Sequence, residues 1–235
     1  MIHTFLGETI GFDLNYKKRK TMSIFIDFYG QIEVRVPKEA SEESALRFLE
    51  EKWDWVQTKA KEVKERTDGH KEKVYDHGEI FLYLGKAYPI QIIEDNNIKQ
   101  DKVVFEGDIL YIYARSTEDD RIKQALKHFY YQQCKALVEK RIRIHQSSFK
   151  VKPRSIGISN DKSTWGTCDS KFQLTFNWKL AMAPLVVIDY VVVHEMCHMV
   201  HLNHDRSFWR LVGKMLPDYE HQQNWLALSS WKMIV

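Results

Sequence analysis

The amino-acid sequence predicts an α+β fold with two parts: an N-terminal, mostly antiparallel β region with long helices, and a compact C-terminal domain. Two observations indicate this division. Pairs of short segments with alternating apolar and polar residues occupy much of the first 115 residues, whereas helix-start signals follow one another in the last third of the chain. We therefore assign residues 1–115 to a β-rich region with one long helix and residues 116–235 to a separate domain.

The first third of the chain contains a predicted hairpin and a predicted helix. Residues 21–27 (TMSIFID) and 32–36 (IEVRV) alternate apolar and polar side chains, and Gly30 lies between them, which is typical of a β-hairpin. Ser41 is followed by two glutamates and then by apolar residues at helical spacing. This pattern predicts a helix from Ser41 to about residue 65.

Two further strand pairs follow, each with a glycine in its turn. They are residues 80–84 with 88–93 about Gly85, and residues 103–106 with 109–113 about Gly107 and Asp108. The first half of the chain is therefore predicted to be mostly sheet, and no internal repeat is recognised in it.

A second long helix is predicted to begin near Thr117. Its buried face is marked by apolar residues at helical spacing: Ile122, Leu126, Phe129, Leu137 and Ile142. Three cations near its end are expected to face outward: Lys140, Arg141 and Arg143.

The pattern changes after Pro153, where strands become short and helices frequent. Strands are predicted near residues 155–159 and 172–178, with a glycine-containing loop at 164–170 between them. Three helices then close the chain, starting at Pro184, after Asp205 or Ser207, and after Pro217-Asp218.

The bulk composition is that of an ordinary globular protein of 235 residues with a net charge of +3. The longest apolar run, residues 185–193, is interrupted by Asp189 and is too short to span a bilayer, and the N-terminus lacks the features of a signal peptide. Three widely spaced cysteines favour free thiols over a disulfide framework. We expect a cytoplasmic protein without a membrane partner, and the sequence does not indicate its oligomeric state.

The segment His194-Glu195-Met196-Cys197-His198 matches the metal-binding pattern HExxH. On a helix the two histidines are separated by about 40° around the axis and by one turn along it, so both imidazoles can reach one ion. Glu195 then lies beside the open position of the metal, where its carboxylate can take a proton from water. A histidine-rich chain can contain HExxH by chance, but here the three polar residues interrupt a helix that is otherwise apolar nearly all round. Unpaired polar groups are costly in such a place, and a metal supplies the missing partner.

A catalytic zinc ion usually has three protein ligands and an exchangeable water molecule. On an unbroken helix, His201 would lie roughly 10 Å along the axis from His194, which is an awkward reach for one tetrahedral ion. His204 would point away unless the helix ended before it. Asn203 tolerates the left-handed conformation that ends helices, and Asp205 or Ser207 can cap the next helix. This geometry favours His204 over His201 as the third ligand, with Zn²⁺ as the expected cofactor.

At this point the chain resembles the YgjP-like metallopeptidase family, which is related to the SprT and WLM proteins and to the Spartan DNA–protein crosslink proteases. The resemblance rests on residues 165–184 (WGTCDSKFQLTFNWKLAMAP), 187–209 (VIDYVVVHEMCHMVHLNHDRSFW) and 217–219 (PDY). It implies a compact zincin fold of the minigluzincin type for the C-terminal domain, with metal ligands at His194, His198 and His204 and a catalytic glutamate at Glu195. It also implies that the strand at 172–178 borders the cleft, where extended substrate would pair with it.

The chain departs from the family pattern at two positions. Thr164 stands where the family normally has arginine before the Trp-Gly pair, and Phe172 stands where it has glycine after Ser-Lys. The resemblance implies that the loop from Trp165 to Cys168 lies near the cleft, although the same residues are also typical of a structural turn. Cys168 is either a fourth, inhibitory metal ligand or a small buried side chain.

Three functions remain open from the sequence. The first is zinc-dependent hydrolysis of peptide bonds in a protein or peptide substrate, with Glu195 as the general base. The second is hydrolysis of a nucleotide phosphoanhydride, which the absence of a Walker-type glycine-rich loop disfavours. The third is a nucleic-acid-binding module with structural zinc, which Glu195 disfavours because a structural site needs no base. Contact with DNA is conceivable through Lys17, Lys18, Arg19 and Lys20 or through the three cations near residue 141, although such runs are often solvated surface.

Overall fold

The computed structural model describes residues 1–26, 30–67, 73–161 and 164–235. The chain forms two compact units, Met1–Lys71 and Glu72–Val235, and the predicted α+β class is confirmed. The expected boundary between residues 115 and 116 lies within the second unit, so the extent of a separate catalytic domain stays a prediction. No helix among the described residues is long and apolar enough to cross a membrane.

The first unit is a four-stranded sheet with two helices. Its elements are β1 (Ile2–Phe5), β2 (Glu8–Lys17), β3 (Ser23–Ile26), β4 (Ile32–Pro37), α1 (Glu42–Glu51) and α2 (Trp53–Thr67). The strand order is β1-β2-β4-β3, and only the central β2–β4 pair is parallel. Alternate strand residues such as Phe12 and Val34 pack against Leu49 and Trp53 of the helices, which buries one face of the sheet.

The predicted hairpin is confirmed as β3 and β4, although Asp27 lies outside the described residues. The predicted helix begins as expected, because the side chain of Ser41 caps it by accepting a hydrogen bond from the backbone N–H of Ser44. It is interrupted at Lys52, whose N–H bonds to the carbonyl of Leu49 in a tightened last turn. The single helix predicted here is therefore two helices, α1 and α2.

The second unit begins with a sheet of the same topology. Its strands are β5 (Ile80–Tyr83), β6 (Lys86–Glu94), β7 (Lys102–Glu106) and β8 (Ile109–Ala114). The order is β5-β6-β8-β7, again with a parallel central pair between two antiparallel hairpins. In both sheets the first hairpin turns at a Leu-Gly pair with positive φ, Leu6-Gly7 and Leu84-Gly85. The two sheets thus repeat one topology, which the sequence alone did not reveal.

The turn at Leu84-Gly85 supports the segment that leads into the candidate site. The N–H groups of Leu84 and Gly85 donate hydrogen bonds to the carbonyls of Ala181 and Met182, each at 2.9 Å. A Cβ at position 85 would lie 2.6 Å from Cγ of Pro184. A glycine is therefore needed at position 85 both for its positive φ and for this close approach.

The long helix predicted near Thr117 is α3 (Asp119–His145). Four of the five apolar residues assigned to its inner face are buried, and Leu137 is partly buried against the same core. Arg141 does not face outward as expected. Its side chain is only 18% exposed and its guanidinium pairs with the carboxylate of Asp189, so it is not part of a free basic surface.

A third sheet and three helices complete the second unit. They are β9 (Ser155–Ser159), β10 (Gly166–Cys168), β11 (Gln173–Asn177), α4 (Leu185–His198), α5 (Arg206–Met215) and α6 (Tyr219–Ser229), with short 3₁₀ segments at Gln146–Ser148, Trp178–Met182 and Ser230–Lys232. The sheet order is β10-β11-β9, with β11 antiparallel to β10 and parallel to β9. Helix α4 lies at the centre, against α3, α5, α6 and β10, and ten of its 14 residues are buried.

Candidate metal centre

Three histidine side chains converge at the end of α4. Nε2 of His204 lies 2.9 Å from Nε2 of His194 and 3.1 Å from Nε2 of His198, and the three ligand atoms all lie within 4.8 Å of one another. Two nitrogen ligands of one tetrahedral zinc ion are about 3.3 Å apart when each is about 2.0–2.1 Å from the metal. The structure thus brings together the three residues predicted to be ligands, at separations close to those that zinc requires.

The end of α4 determines which histidines can meet. Four residues separate His194 and His198, which places both rings on one face of the helix. The helix ends at His198, earlier than the expected end near Asn203, and Met199 is its C-cap. Asn203 does not have the positive φ that we expected there. The chain nevertheless turns back before α5, and this turn returns His204 to the other two rings.

Asp205 begins α5 by capping it. Its Oδ1 accepts hydrogen bonds from the N–H groups of Ser207 and Phe208, both at 2.9 Å, and from the Ser207 hydroxyl at 2.6 Å. These hydrogen bonds lower the pKa of the Asp205 carboxyl below its ordinary value. The cap fixes the start of α5 directly after His204, as the sequence predicted.

His201 lies outside the group of three histidines. Its Nδ1 lies 3.1 Å from the hydroxyl of Ser207, and its backbone carbonyl accepts a hydrogen bond from Nδ1 of His198 at 3.1 Å. Because a carbonyl can only accept, Nδ1 of His198 carries the proton and Nε2 keeps a free lone pair directed toward the other two histidines. His201 thus contributes to the site through its backbone.

The electrostatic surroundings favour the neutral form of His194 and His198. Burial, together with the neighbouring His198 and His204, lowers the pKa of His194 to about 3. Burial also lowers the pKa of His198, and the bond to the His201 carbonyl opposes that shift. Nδ1 of His194 is buried without a hydrogen-bond partner among the described residues. Neutral imidazoles with converging lone pairs are a suitable donor set for zinc, and a cation would relieve the repulsion between those lone pairs.

Aromatic side chains of α5 and α6 enclose the histidines on one side. The ring of Phe208 lies 4.5 to 4.9 Å, centroid to centroid, from all three imidazoles. Trp209 stacks on His204 at 5.6 Å and on Tyr219 at 5.3 Å. Phe208 and Trp209, which lie on the first turn of α5, therefore hold His204 against the end of α4.

Glu195 is only 5% exposed although it follows a candidate ligand on the same helix. Its burial raises the pKa of its carboxyl to about 8, since taking a carboxylate out of water disfavours the charged form. The carboxyl group lies against β10, at the backbone of Gly166. Residues 166–168, which form strand β10 and not the predicted loop, therefore border the candidate site, as the resemblance implied.

Cys168 lies on the same side of β10 as Gly166 but not among the histidines. The group of possible metal donors contains only the three imidazoles. Burial first, and then the neighbouring carboxylates of Glu195 and Asp169, raise the pKa of the Cys168 thiol to about 11. Because its sulfur does not belong to the group of converging donors, the arrangement does not support Cys168 as an inhibitory fourth ligand.

The expected pairing of substrate with the strand at residues 172–178 is wrong for this structure. That segment forms β11, which is hydrogen-bonded to a neighbour on both sides. Among the described strands of this sheet, the one beside Glu195 with a free edge is β10. Strand order depends on tertiary structure, so no local sequence pattern indicated that β11 is paired on both sides.

A charged group lies behind the site, between α3 and α4. Asp189 is 8% exposed and accepts hydrogen bonds from both Nε and Nη2 of Arg141 and from Nε2 of His145, the last at 2.9 Å. Asp189 can therefore interrupt the apolar run before the HExxH segment, because its carboxylate is paired with Arg141 and His145. The sequence showed Asp189 but not its partners, which are 44 and 48 residues away.

Comparison with known proteins identifies the family to which the chain belongs. A model described as "YgjP-like, metallopeptidase domain" matches residues 20–229, a span that includes Gly166, Glu195 and the three histidines. No curated protein and no solved structure matches the chain significantly. Because the match covers most of the chain, this protein belongs to the YgjP-like family, whose shared domain is that of a metallopeptidase.

Proposed function

We propose that the protein is a zinc-dependent metallopeptidase, with His194, His198 and His204 as metal ligands and Glu195 as the general base. The observation that carries the proposal is the convergence of three imidazoles on one point, with a buried carboxyl group on the residue that follows His194. A structural zinc site is usually closed by four protein ligands. Here three donors converge, which leaves a position for water or substrate.

The three imidazoles suit zinc by their chemistry. When bound, zinc supplies a Lewis acid that polarises the scissile carbonyl and lowers the pKa of water. The chain contributes the geometry of the donors: the His201 carbonyl sets the tautomer of His198, and Phe208 packs against all three rings. Rings held in this way need little rearrangement to bind an ion.

Glu195 is the proton carrier in this proposal. Its carboxylate takes a proton from the attacking water and then passes it to the nitrogen of the leaving group. Without a metal, burial favours the protonated acid. A nearby cation favours the carboxylate, because opposite charges lower the pKa of an acid. Burial thus raises the pKa of Glu195, whereas a nearby cation lowers it. Together the two effects give the carboxyl a pKa suited to both accepting and releasing a proton.

Strand β10 is the proposed binding edge for an extended peptide. The N–H of Asn177 donates to the carbonyl of Trp165, and the N–H of Asp169 donates to the carbonyl of Gln173. In an antiparallel ladder, bonded and non-bonded positions alternate, so the backbone groups of Gly166 and Cys168 point away from β11. These groups can pair with a substrate strand, and they lie next to Glu195.

The same arrangement leads us to propose a zincin-like fold of the minigluzincin type for the C-terminal part of the chain. The proposal is supported by the order of elements around the site. An edge strand, the HExxH helix, a turn and a third histidine directly before the next helix follow one another within residues 166–206.

A parallel assay tests the proposed function. Zinc-loaded protein is incubated with a library of internally quenched peptides, with nucleoside triphosphates and with a protein bound to DNA. We expect the parent to cleave peptides, a chelator to abolish this cleavage and added zinc to restore it. The Glu195→Gln variant should retain zinc but cleave peptides several orders of magnitude more slowly. Phosphate release from nucleotides without peptide cleavage, or Glu195→Gln activity equal to that of the parent, would show that the proposal is wrong.

A further inference from the structure

Strand β10 approaches α4 closely at Gly166. A Cβ built at this position would lie 2.6 Å from Cγ, 2.8 Å from Oε1 and 2.9 Å from Cδ of Glu195. Carbon and oxygen atoms in van der Waals contact are roughly 3.5 Å apart. Any side chain at position 166 would therefore force Glu195 to move.

The backbone conformation does not explain this glycine. The glycines with positive φ are Gly7, Gly30, Gly78, Gly85 and Gly107 among the described residues. Gly166 is not one of them, so its φ is open to any residue. What position 166 requires is the absence of a side chain.

The atoms that a Cβ at position 166 would meet first belong to the proposed base. All three nearest atoms are in the Glu195 side chain, and none is in a backbone. Because the first of them is Cγ, the displacement cannot be confined to the carboxyl tip and requires a change in χ1 of Glu195 or a shift of the backbone. Either change would move the carboxyl group from its place beside β10.

We infer that Gly166 is a positioning residue for Glu195: the missing side chain lets the carboxyl group lie directly on the strand whose backbone edge would hold the substrate. This inference rests on the proposed function for its catalytic consequence, whereas the steric relationship stands on the structure alone. One residue thereby sets the separation between the base and the peptide bond.

The first test compares two glycine-to-alanine variants in the same sheet. Gly157 in β9 is the matched control, because a Cβ there would meet only Thr175 and Leu174, at 3.5 Å or more. We expect Gly166→Ala to lower kcat for peptide cleavage about 100-fold, as misplacing a catalytic group by about 1 Å can do. KM and zinc affinity should change little, because the strand edge and the imidazoles stay in place. Gly157→Ala should retain the kcat of the parent, and a Gly166→Ala variant that does so as well would overturn the inference.

The second test needs no activity. Thermal unfolding of the metal-free protein is measured for the parent, Gly166→Ala, Glu195→Ala and the double variant. Because Glu195→Ala removes all three atoms that the new Cβ would meet, Gly166→Ala should lower Tm when Glu195 is present and not when residue 195 is alanine. An equal loss in both backgrounds would mean that the Cβ meets something other than Glu195, and the inference would fail.

The two tests also separate this inference from the proposed function. If the parent cleaves no peptide but the unfolding temperatures show the coupling, the peptidase proposal fails and the positioning of Glu195 by Gly166 stands. If the parent cleaves peptides and the coupling is absent, the peptidase stands and the inference fails. If Gly166→Ala does not fold but the double variant does, the coupling is supported in its strongest form.

Discussion

The backbone carbonyl of His201 lies 3.1 Å from Nδ1 of His198, while the His201 ring is directed to the hydroxyl of Ser207. His201 and His204 are three residues apart, yet only the ring of His204 reaches the other two candidate ligands. The hydrogen bond from His198 uses an atom that every residue has. Substitution of the two histidines should therefore have very different effects on metal binding.

His204→Ala should weaken zinc binding strongly, because two protein ligands replace three. His201→Ala should leave the zinc affinity nearly unchanged, because the carbonyl that orients His198 is retained. Competition with a chromophoric chelator measures both affinities. Loss of zinc from His201→Ala and retention by His204→Ala would contradict the assigned ligand set.

Asp205 directly follows His204, a position from which a carboxylate could orient one of the ligand rings. Its Oδ1 instead caps α5 through Ser207 and Phe208. Asp205→Asn should consequently affect zinc affinity less than His204→Ala does, since asparagine is also a good N-cap. The same competition assay checks this order, and a loss as large as that of His204→Ala would assign Asp205 a direct role at the metal.

The burial of the Glu195 carboxyl predicts how the stability of the metal-free protein depends on pH. Its pKa is about 8 in the folded protein and 4.5 as an unperturbed group. At pH 4 both the folded and the unfolded states are protonated. As the pH rises through 4.5 the unfolded state ionises first, so the folded state loses stability until the pH exceeds about 8.

Glu195→Gln removes this titration. Relative to the parent, the metal-free variant should gain on the order of 3 kcal/mol in the free energy of unfolding between pH 4.5 and pH 8. Denaturant unfolding at the two pH values measures the gain. Glu220→Gln, on the exposed face of α6, is the control and should show no comparable change. An equal difference between parent and Glu195→Gln at both pH values would contradict the assigned burial.

The site could be predicted from the sequence to the extent that its geometry is local. The spacing of His194 and His198 follows from the helical period, and the apolar residues on every side of α4 indicated a buried helix. The need for a third ligand and a cap at Asp205 then indicated His204. The end of the helix was placed too late, because local hydrogen bonds such as His201 N–H to the carbonyl of Cys197 do not have a distinctive sequence pattern.

The features that the sequence did not reveal depend on contacts between distant residues. Gly166 and Glu195 meet only because β10 is the edge of its sheet beside α4. Arg141 looked like a surface cation because its partner, Asp189, is 48 residues away. By contrast, β2 could have been found, since Ile10 and Phe12 are buried at alternate positions and the pattern is visible in the sequence.

The pairing of Asp189 with Arg141 predicts a stability effect behind the metal site. Both side chains are less than one-fifth exposed, so Arg141→Met leaves a buried carboxylate without its strongest partner. We expect a loss of about 3–5 kcal/mol in the free energy of unfolding. The double variant Arg141→Met, Asp189→Leu should recover much of it, because an apolar pair replaces the ion pair. A double variant as unstable as Arg141→Met alone would show that the loss arises from packing of the guanidinium stem.

The turn between β10 and β11 carries a backbone conformation that its sequence does not suit. Phe172 has a φ of 60°, and the family resemblance noted above has glycine at this position. The N–H of Phe172 donates to the carbonyl of Asp169, and Oδ1 of Asp169 accepts from the N–H groups of Lys171 and Gln173. These bonds hold the turn in place, so the non-glycine residue is forced into the left-handed region, which costs about 1–2 kcal/mol for a residue with a Cβ.

Two substitutions at Phe172 separate this backbone cost from the packing of the ring. Phe172→Ala and Phe172→Gly both remove the ring, so their difference reports the conformation alone. We expect the glycine variant to be more stable than the alanine variant by about 1 kcal/mol, measured by denaturant unfolding. At the exposed neighbour Gln173, which is extended in β11, the order should reverse, with alanine more stable by roughly 0.5–1 kcal/mol. If alanine were the more stable residue at both positions, the turn would not require the left-handed conformation, and the departure from the family glycine would carry no cost.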